Sequence, residues 1–212
     1  VNQMTELYHV FIEKKYPEDW DQDWREHAHE SLGLFLVQYL CNGFNLADAA
    51  RLVYDDHYFK SGKKSFRFIR KKTEDRSDTE IVIPIIEPLQ KILDEIAAKP
   101  EKGALVFPQI YAGETDENKQ KARISQENQN IRKRLGRLVK SMGWEVAPSG
   151  TWCRHSFATN LSHAGGVPKE YIQEAMGHSV MSGTVTDRYI QSYPIAQQME
   201  FNSRLLKLNN DA

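Results

Sequence analysis

The chain has few cysteines and no long apolar stretch. Its 212 residues include two cysteines, Cys41 and Cys153, so a secreted scaffold stapled by disulfides is excluded. No run of about 18 apolar residues is present, as a membrane-spanning helix would need, and there is no secretory signal, internal repeat or low-complexity tract. We therefore expect a reduced, cytoplasmic protein that folds as a single compact domain and has no membrane partner.

An excess of one charge is also lacking, because 28 Lys and Arg side chains nearly balance 29 Asp and Glu side chains. The charges are nevertheless segregated. The first 30 residues are acidic, residues 60–72 hold seven cations and no acid, and residues 119–140 hold eight cations against one acid. Either basic tract alone is equally consistent with a solvated surface. Two such tracts together predict binding to double-stranded DNA phosphates, and the candidate side chains are Lys63, Lys64, Arg67, Arg70, Lys71, Arg132, Lys133 and Arg134.

Hydrophobic periodicity predicts a mainly α protein with a small antiparallel β-sheet, which is an α+β fold class. Residues 1–24 are interpreted as a linker or N-terminal extension. Two helices meet at the corner "CNGFN", and strands at Ser65–Arg70 and Thr79–Ile83 form the sheet. Later helices are predicted from Pro88, in a long basic segment ending near Ser141, and at residues 151–163, 169–176 and 194–208.

The segment "GTWCRHSFATNL" places an arginine at the start of a helix. Its apolar residues would lie on one side of that helix and anchor it in the core, leaving Arg154 near the N-terminus. Unpaired N–H groups and a guanidinium together form an anion site there. The alternative is an ion pair between Arg154 and a nearby carboxylate.

The segment that follows adds a histidine and a tyrosine in a fixed order. Gly177 ends a predicted helix, so that His178 projects at its edge, and Tyr189 comes eleven residues later. Arg-His-Ser-Phe-Ala-Thr, then Met-Gly-His-Ser, then Thr-x-x-x-x-Tyr resembles the catalytic domain of the tyrosine recombinases, the phage integrase family. The resemblance covers residues 25–208, and we assign residues 25–212 to this DNA breaking-rejoining domain.

The resemblance implies a site-specific recombinase or integrase of a mobile genetic element. The tyrosine attacks a DNA phosphodiester and forms a 3'-phosphotyrosine, with no metal or other cofactor. Tyr189 would be the nucleophile, with Tyr193 as its competitor. Arg154 and His178 would contact the non-bridging oxygens. Lys72, or Lys71 if the strand register is shifted, would protonate the departing 5'-oxygen.

The resemblance also implies an assembly on DNA. The family works as a homotetramer and carries an N-terminal core-binding domain, which we expect to be absent from this chain. The chain alone would then be a monomer. Apolar residues in the predicted last helix would pack either on a neighbouring subunit or on their own domain.

Two charged positions of the family pattern are replaced by neutral residues. Asn45 stands where the corner "G-x-R-x-x-E/D" has its arginine, with Asp48 at the acidic position, and Thr151 stands where His or Lys precedes the helix arginine. Some integrases of conjugative and mobilisable elements resemble this chain in lacking the corner arginine. Either another cation substitutes, with Arg51, Arg67 and Arg70 as candidates, or the chain is a weakened recombinase that binds DNA and cleaves poorly.

Two other functions are compatible with parts of the sequence. Residues 167–190 resemble a helix-turn-helix, so the chain could be a non-catalytic DNA-binding regulator. That interpretation leaves Arg154 and the basic hairpin unexplained. Cys153 and His155 suggest thiol chemistry, but adjacent side chains on a helix do not face each other.

Overall fold

The structure, a computed structural model, describes residues 2–70, 79–177 and 192–207. This part of the chain is mainly helical with one two-stranded antiparallel sheet, which confirms the predicted mixture of elements. A 3-10 turn at Pro108–Ile110 precedes the longest helix. The elements in chain order are α1 (Asn2–Glu13), α2 (Gln22–Leu40), α3 (Leu46–Ala50), α4 (Asp56–Lys60), β1 (Ser65–Arg70), β2 (Thr79–Pro84), α5 (Glu87–Ile96), α6 (Glu117–Ser141), α7 (Gly150–His163), α8 (Lys169–Ala175) and α9 (Ile195–Ser203).

Helix α2 lies at the centre of the core. The Asp21 side chain caps it by accepting a hydrogen bond from Trp24 N at 2.8 Å. Every residue from Ser31 to Leu40 is buried, and α1, α5, α6 and α7 pack around it. A helix buried on all sides must be covered by neighbours, so α2 fixes the positions of the elements that carry the candidate site.

Helix α1 was not predicted, because residues 1–24 were interpreted as a linker or extension. Its residues Met4, Leu7, Tyr8 and Phe11 are buried against α2. Their i, i+3, i+4, i+7 spacing is the pattern of an amphipathic helix, but the acidic composition of the region obscured it. Residues 14–21 form the non-helical connection between α1 and α2.

The sheet buries one face and exposes the other. Phe66 pairs with Ile83 and Phe68 with Ile81, and these four side chains belong to the core. On the other face Arg67 is exposed beside Val82. Because side chains alternate along a strand, the register that buries the two phenylalanines turns Arg67 outward.

Helix α9 packs on its own domain, which was one of the two predicted alternatives. The Tyr39 hydroxyl donates to Leu205 O at 2.6 Å, and the Asn202 side chain donates to Asn42 Oδ1 at 2.9 Å. Tyr171 in turn donates to Asn202 Oδ1 at 2.7 Å. Since buried polar groups are stable only when paired, this network ties α9 to α8 and to the corner after α2.

Candidate active site

Arg154 links two loops of the fold. Cys153, Phe157 and Leu161 are buried on one side of α7. Arg154 lies in the second turn of this helix and is half-buried. The guanidinium donates to Gly43 O at 3.3 Å and to Met176 O at 3.0 Å. The planar fork of a guanidinium can hold two acceptors in this way. Arg154 thus connects the corner after α2 to the end of α8.

The corner itself is shaped by Gly43. Its φ is +68°, and a Cβ added there would lie 3.0 Å from the Arg154 Cα. A side chain is therefore disfavoured both by the left-handed backbone and by the closeness of α7. Glycine at this position allows the carbonyl of Gly43 to meet the arginine.

We expect Gly43→Ala to lower the free energy of unfolding more than Gly62→Ala does. Both glycines have positive φ, but nothing lies within 4 Å of a Cβ added to Gly62. Gly62→Ala should cost about 1 to 2 kcal/mol for the left-handed backbone. Gly43→Ala should cost about 1 to 3 kcal/mol more through overpacking against Arg154. Urea unfolding of both variants measures the difference, and equal costs would show that this packing contributes nothing.

Asn45 and Asp48 form a capping box at the start of α3. Asn45 Oδ1 accepts a hydrogen bond from Asp48 N at 2.8 Å, and Asn45 N donates to Asp48 Oδ2 at 3.4 Å. This satisfies N–H groups that a helix start otherwise leaves unpaired. The residue in place of the family's corner arginine therefore has a structural role as a helix cap, with its side chain exposed.

Arg51 and Arg67, two of the predicted substitutes, have acidic partners. Arg51 Nη2 lies 2.9 Å from Asp48 Oδ1, and its guanidinium carbon lies 5.3 Å from the centre of the Phe68 ring. Arg67 lies 3.5 Å from carboxylate oxygens of both Asp55 and Glu80. The side chain of Arg70, the third candidate, is outside the described part of the structure.

A cleft of about 570 Å³ lies between α6, the corner before α3 and the first turn of α7. It brings together Asn45 and Thr151, the two positions at which the family pattern is broken. Helix α6 contributes one face to the cleft, because the residues concerned recur every three or four positions. They are Lys121, Ile124, Ser125, Asn128, Gln129, Ile131 and Arg132.

Comparison with known families identifies the family of this chain. The profile of the phage integrase family matches residues 25–194. The chain belongs to the phage integrase family. Membership supports a role in DNA binding and recombination, and the predicted family is confirmed. A comparison with curated proteins found no significant match.

Four predicted site residues of this integrase-family chain lie outside the described residues. They are Lys71, Lys72, His178 and Tyr189. Their flanks are described: Gly177 has a φ of +66° and follows the end of α8, as its predicted role in ending the helix requires. The structure thus places Asn45 in one cleft with Thr151 and in a capping box with Asp48. It places Arg154 against the neighbouring corner at Gly43, and the catalytic roles of all eight residues stay predictions.

The three consecutive cations of α6 do not form one surface. Arg132 lines the cleft, whereas the Lys133 ammonium lies 5.7 Å from the centre of a Trp24 ring. Arg134 donates to Ser31 Oγ at 3.0 Å and lies 3.6 Å from Glu127 Oε1. Successive helical residues point about 100° apart, so the integrase-family chain presents Arg132 alone of these three to the cleft. Lys63 and Lys64 are exposed in the turn before β1.

Thiol chemistry has no support in the structure. Cys41 and Cys153 are free and buried, and burial raises the pKa of both thiols. Cys153 Sγ donates to Phe35 O at 3.3 Å, while His155 is exposed on α7. A thiol reacts as its thiolate, so these cysteines belong to the core of the integrase-family chain.

The described residues contain no group of three His, Cys, Asp or Glu side chains that could hold a metal ion. Within the same ranges, none of the helices has the length and apolar character needed to span a membrane.

Proposed function

We propose that this chain is the catalytic domain of a site-specific DNA recombinase that works through a 3'-phosphotyrosine. The observation that carries the proposal is the position of Arg154. It joins the corner at Gly43 to the end of α8 at Met176, two residues before His178 in the chain. Together with Asn45 and Thr151, these are the segments that carry the family's phosphate-binding residues.

In the proposed reaction the Tyr189 hydroxyl oxygen attacks the scissile phosphorus. A P–O bond to tyrosine forms and the P–O5' bond breaks. The phenolic proton is released to solvent, and Lys72 gives its proton to the departing 5'-oxygen and is reprotonated from solvent. A 5'-hydroxyl later attacks the phosphotyrosine and rejoins the strand. The phosphotyrosine retains the bond energy, so no nucleotide cofactor is consumed.

Positively charged donors held in fixed positions speed this step by stabilising its transition state. A tyrosine with a pKa of about 10 is a weak nucleophile at neutral pH, and the five-coordinate phosphorus gathers negative charge. Donors already held in place stabilise that charge without reorganising. Arg154 is held by two carbonyls in this way, and His178 is the proposed second donor.

We also propose the assembly that the family implies. The full-length protein would carry an N-terminal DNA-clamping domain and act as a homotetramer on double-stranded DNA, whereas this chain would be a monomer. The packing of α9 on its own domain is consistent with a monomeric chain. Sedimentation with and without DNA checks the proposal, and a stable tetramer of the free chain would contradict it.

The test of the reaction is a covalent adduct with DNA. The chain is mixed with nicked duplexes that have a randomised sequence around the nick and a label on the 5' end of the scissile strand. We expect a labelled band that is retarded in a denaturing gel and disappears after proteinase treatment. Salt-sensitive binding without any adduct would instead support the DNA-binding regulator.

A further inference from the structure

The integrase-family chain lacks a corner arginine, so a different group must supply the missing charge if it cleaves DNA. The cleft beside the corner contains one guanidinium among the described residues, that of Arg132 on α6. Arg132 is exposed, and no acidic side chain among the described residues lies within ion-pair distance of it. Its charge is therefore available to a ligand of the cleft.

Three other candidate cations are engaged with acids. Arg51 is held by Asp48 and Arg67 by Asp55 and Glu80. Lys121, the second cation of the cleft, lies 3.1 Å from Glu117 Oε1. An acid that already neutralises a cation weakens its attraction for a phosphate, so Arg132 is the stronger candidate.

The surroundings of Arg132 favour an anion. Thr151 offers a hydroxyl, and Asn128 and Gln129 offer amide groups one turn before the arginine. Gly150 opens α7, and the Ser149 side chain does not cap it, so the first N–H groups of a 14-residue helix border the cleft. These donors and the guanidinium line the same cleft from two elements of the fold, α6 and α7.

The base of the cleft contains a polar atom that needs a partner. Gln38 is 1% exposed, and its Oε1 has no hydrogen-bond partner in the described part of the chain. It lies 3.4 Å from the position of a Cβ added to Gly150. A buried acceptor without a partner costs about 1 to 3 kcal/mol. A water bound with the ligand could donate to this oxygen and to a phosphate at once.

We propose that Arg132 takes the place of the missing corner arginine and contacts the scissile phosphate beside Asn45 and Thr151. This inference rests on the proposed function. The proposal gives Arg132 a role that its neighbours do not share. The Lys133 ammonium lies over the Trp24 ring, and Arg134 pairs with Glu127.

The test compares adduct formation by Arg132→Ala, Arg132→Lys and Lys91→Ala on the nicked duplexes. Arg132→Ala should be slower by a factor of about 100 to 1000, as for the loss of one transition-state donor. Arg132→Lys should fall between Arg132→Ala and the unaltered chain, because it keeps the charge and loses the fork. Lys91 is exposed on α5 and pairs with Glu87, so its variant is the control for loss of a surface cation. An Arg132→Ala rate equal to that of the unaltered chain would overturn the inference and leave the proposed function standing.

A second measurement keeps the inference testable if the unaltered chain forms no adduct, which would defeat the proposed function. The affinity for a labelled duplex is then measured by fluorescence anisotropy at several salt concentrations. Loss of one phosphate contact reduces the slope of log affinity against log salt by about 1. We expect that reduction in Arg132→Ala and not in Lys91→Ala, and an unchanged slope in Arg132→Ala would refute the contact.

A corner arginine introduced at position 45 tests whether Arg132→Ala lowers the adduct rate by removing a charge or by disturbing α6. Asn45→Arg in the Arg132→Ala background is expected to recover part of the adduct rate, because it returns a guanidinium to the same cleft. Thermal melting of each variant confirms folding. Asn45→Arg also removes the side-chain cap of α3, which lowers stability, so melting is compared with that of Asn45→Arg alone. Recovery of the adduct rate without recovery of the melting temperature would support Arg132 as a phosphate ligand.

Discussion

Tyr189→Phe is expected to abolish the covalent adduct, whereas Tyr193→Phe is expected to retain it. Phenylalanine has no oxygen with which to attack phosphorus, so the loss should be complete if Tyr189 is the nucleophile. The environment of Tyr193 is that of a packing residue. Its ring centre lies 5.4 Å from that of Tyr171 and 5.8 Å from that of Phe201.

The charge around Tyr193 also disfavours it as a nucleophile. Burial raises the pKa of its hydroxyl, and the carboxylates of Glu170 and Glu174 raise that pKa further. A raised pKa means that less phenolate forms at neutral pH, where an attacking tyrosine needs its charge. Tyr193→Phe should therefore change stability slightly and leave the chemistry in place.

The two variants are compared on the same labelled nicked duplexes, under denaturing conditions. DNA binding before denaturation, measured by anisotropy, shows that each variant still engages the substrate. An adduct formed by Tyr189→Phe and lost in Tyr193→Phe would reverse the assignment of the nucleophile. Adduct formation by both variants would place the reactive group elsewhere in the chain.

Arg154→Ala is expected to lower the adduct rate by a factor of about 100 to 1000. It should also lower the free energy of unfolding by about 1 to 3 kcal/mol, because Gly43 O and Met176 O lose their charged donor. Arg154→Lys should recover little of either loss. An ammonium keeps the charge, but it cannot hold two carbonyls with the fixed fork of a guanidinium.

The control for this prediction is His155→Ala, an exposed residue next to Arg154 on the same helix. Rates are measured with DNA in excess, so that weaker binding does not imitate slower chemistry. Urea unfolding reports stability separately. If Arg154→Ala loses stability but retains its rate, the arginine holds the two loops together without taking part in the reaction.

Local patterns accounted for most of the elements. Strand Ser65–Arg70 was predicted with its observed bounds, and the helices at residues 151–163 and 169–176 were within one residue of α7 and α8. Such elements are set by the spacing of apolar residues and by flanking Gly and Pro, which a single sequence displays. Helices α1 and α4 were missed. The first has an apolar pattern within an acidic region, and the second, at five residues, is too short to show a period.

Fewer of the contacts in the candidate site could be predicted from local sequence patterns. The sequence identified Asn45 and Thr151 as departures from the family pattern, and it named Arg51, Arg67 and Arg70 as possible compensation. Asp48 and Arg51 are i, i+3 neighbours, a pair that helical spacing by itself permits. The sequence had no means of showing that Asp55 and Glu80 bind Arg67, because those partners depend on which elements pack together and, in the case of Glu80, on the strand register.

By itself, the sequence determined the family and the mixture of helices with one small sheet. These conclusions depend on periodicity and on the order of motifs, which are local properties of the chain. Only the tertiary structure decided that α9 packs on its own domain and that Arg132 shares a cleft with Asn45 and Thr151. Side chains far apart in the sequence meet only when the core brings their helices into contact, and a local sequence pattern does not show which helices pack together.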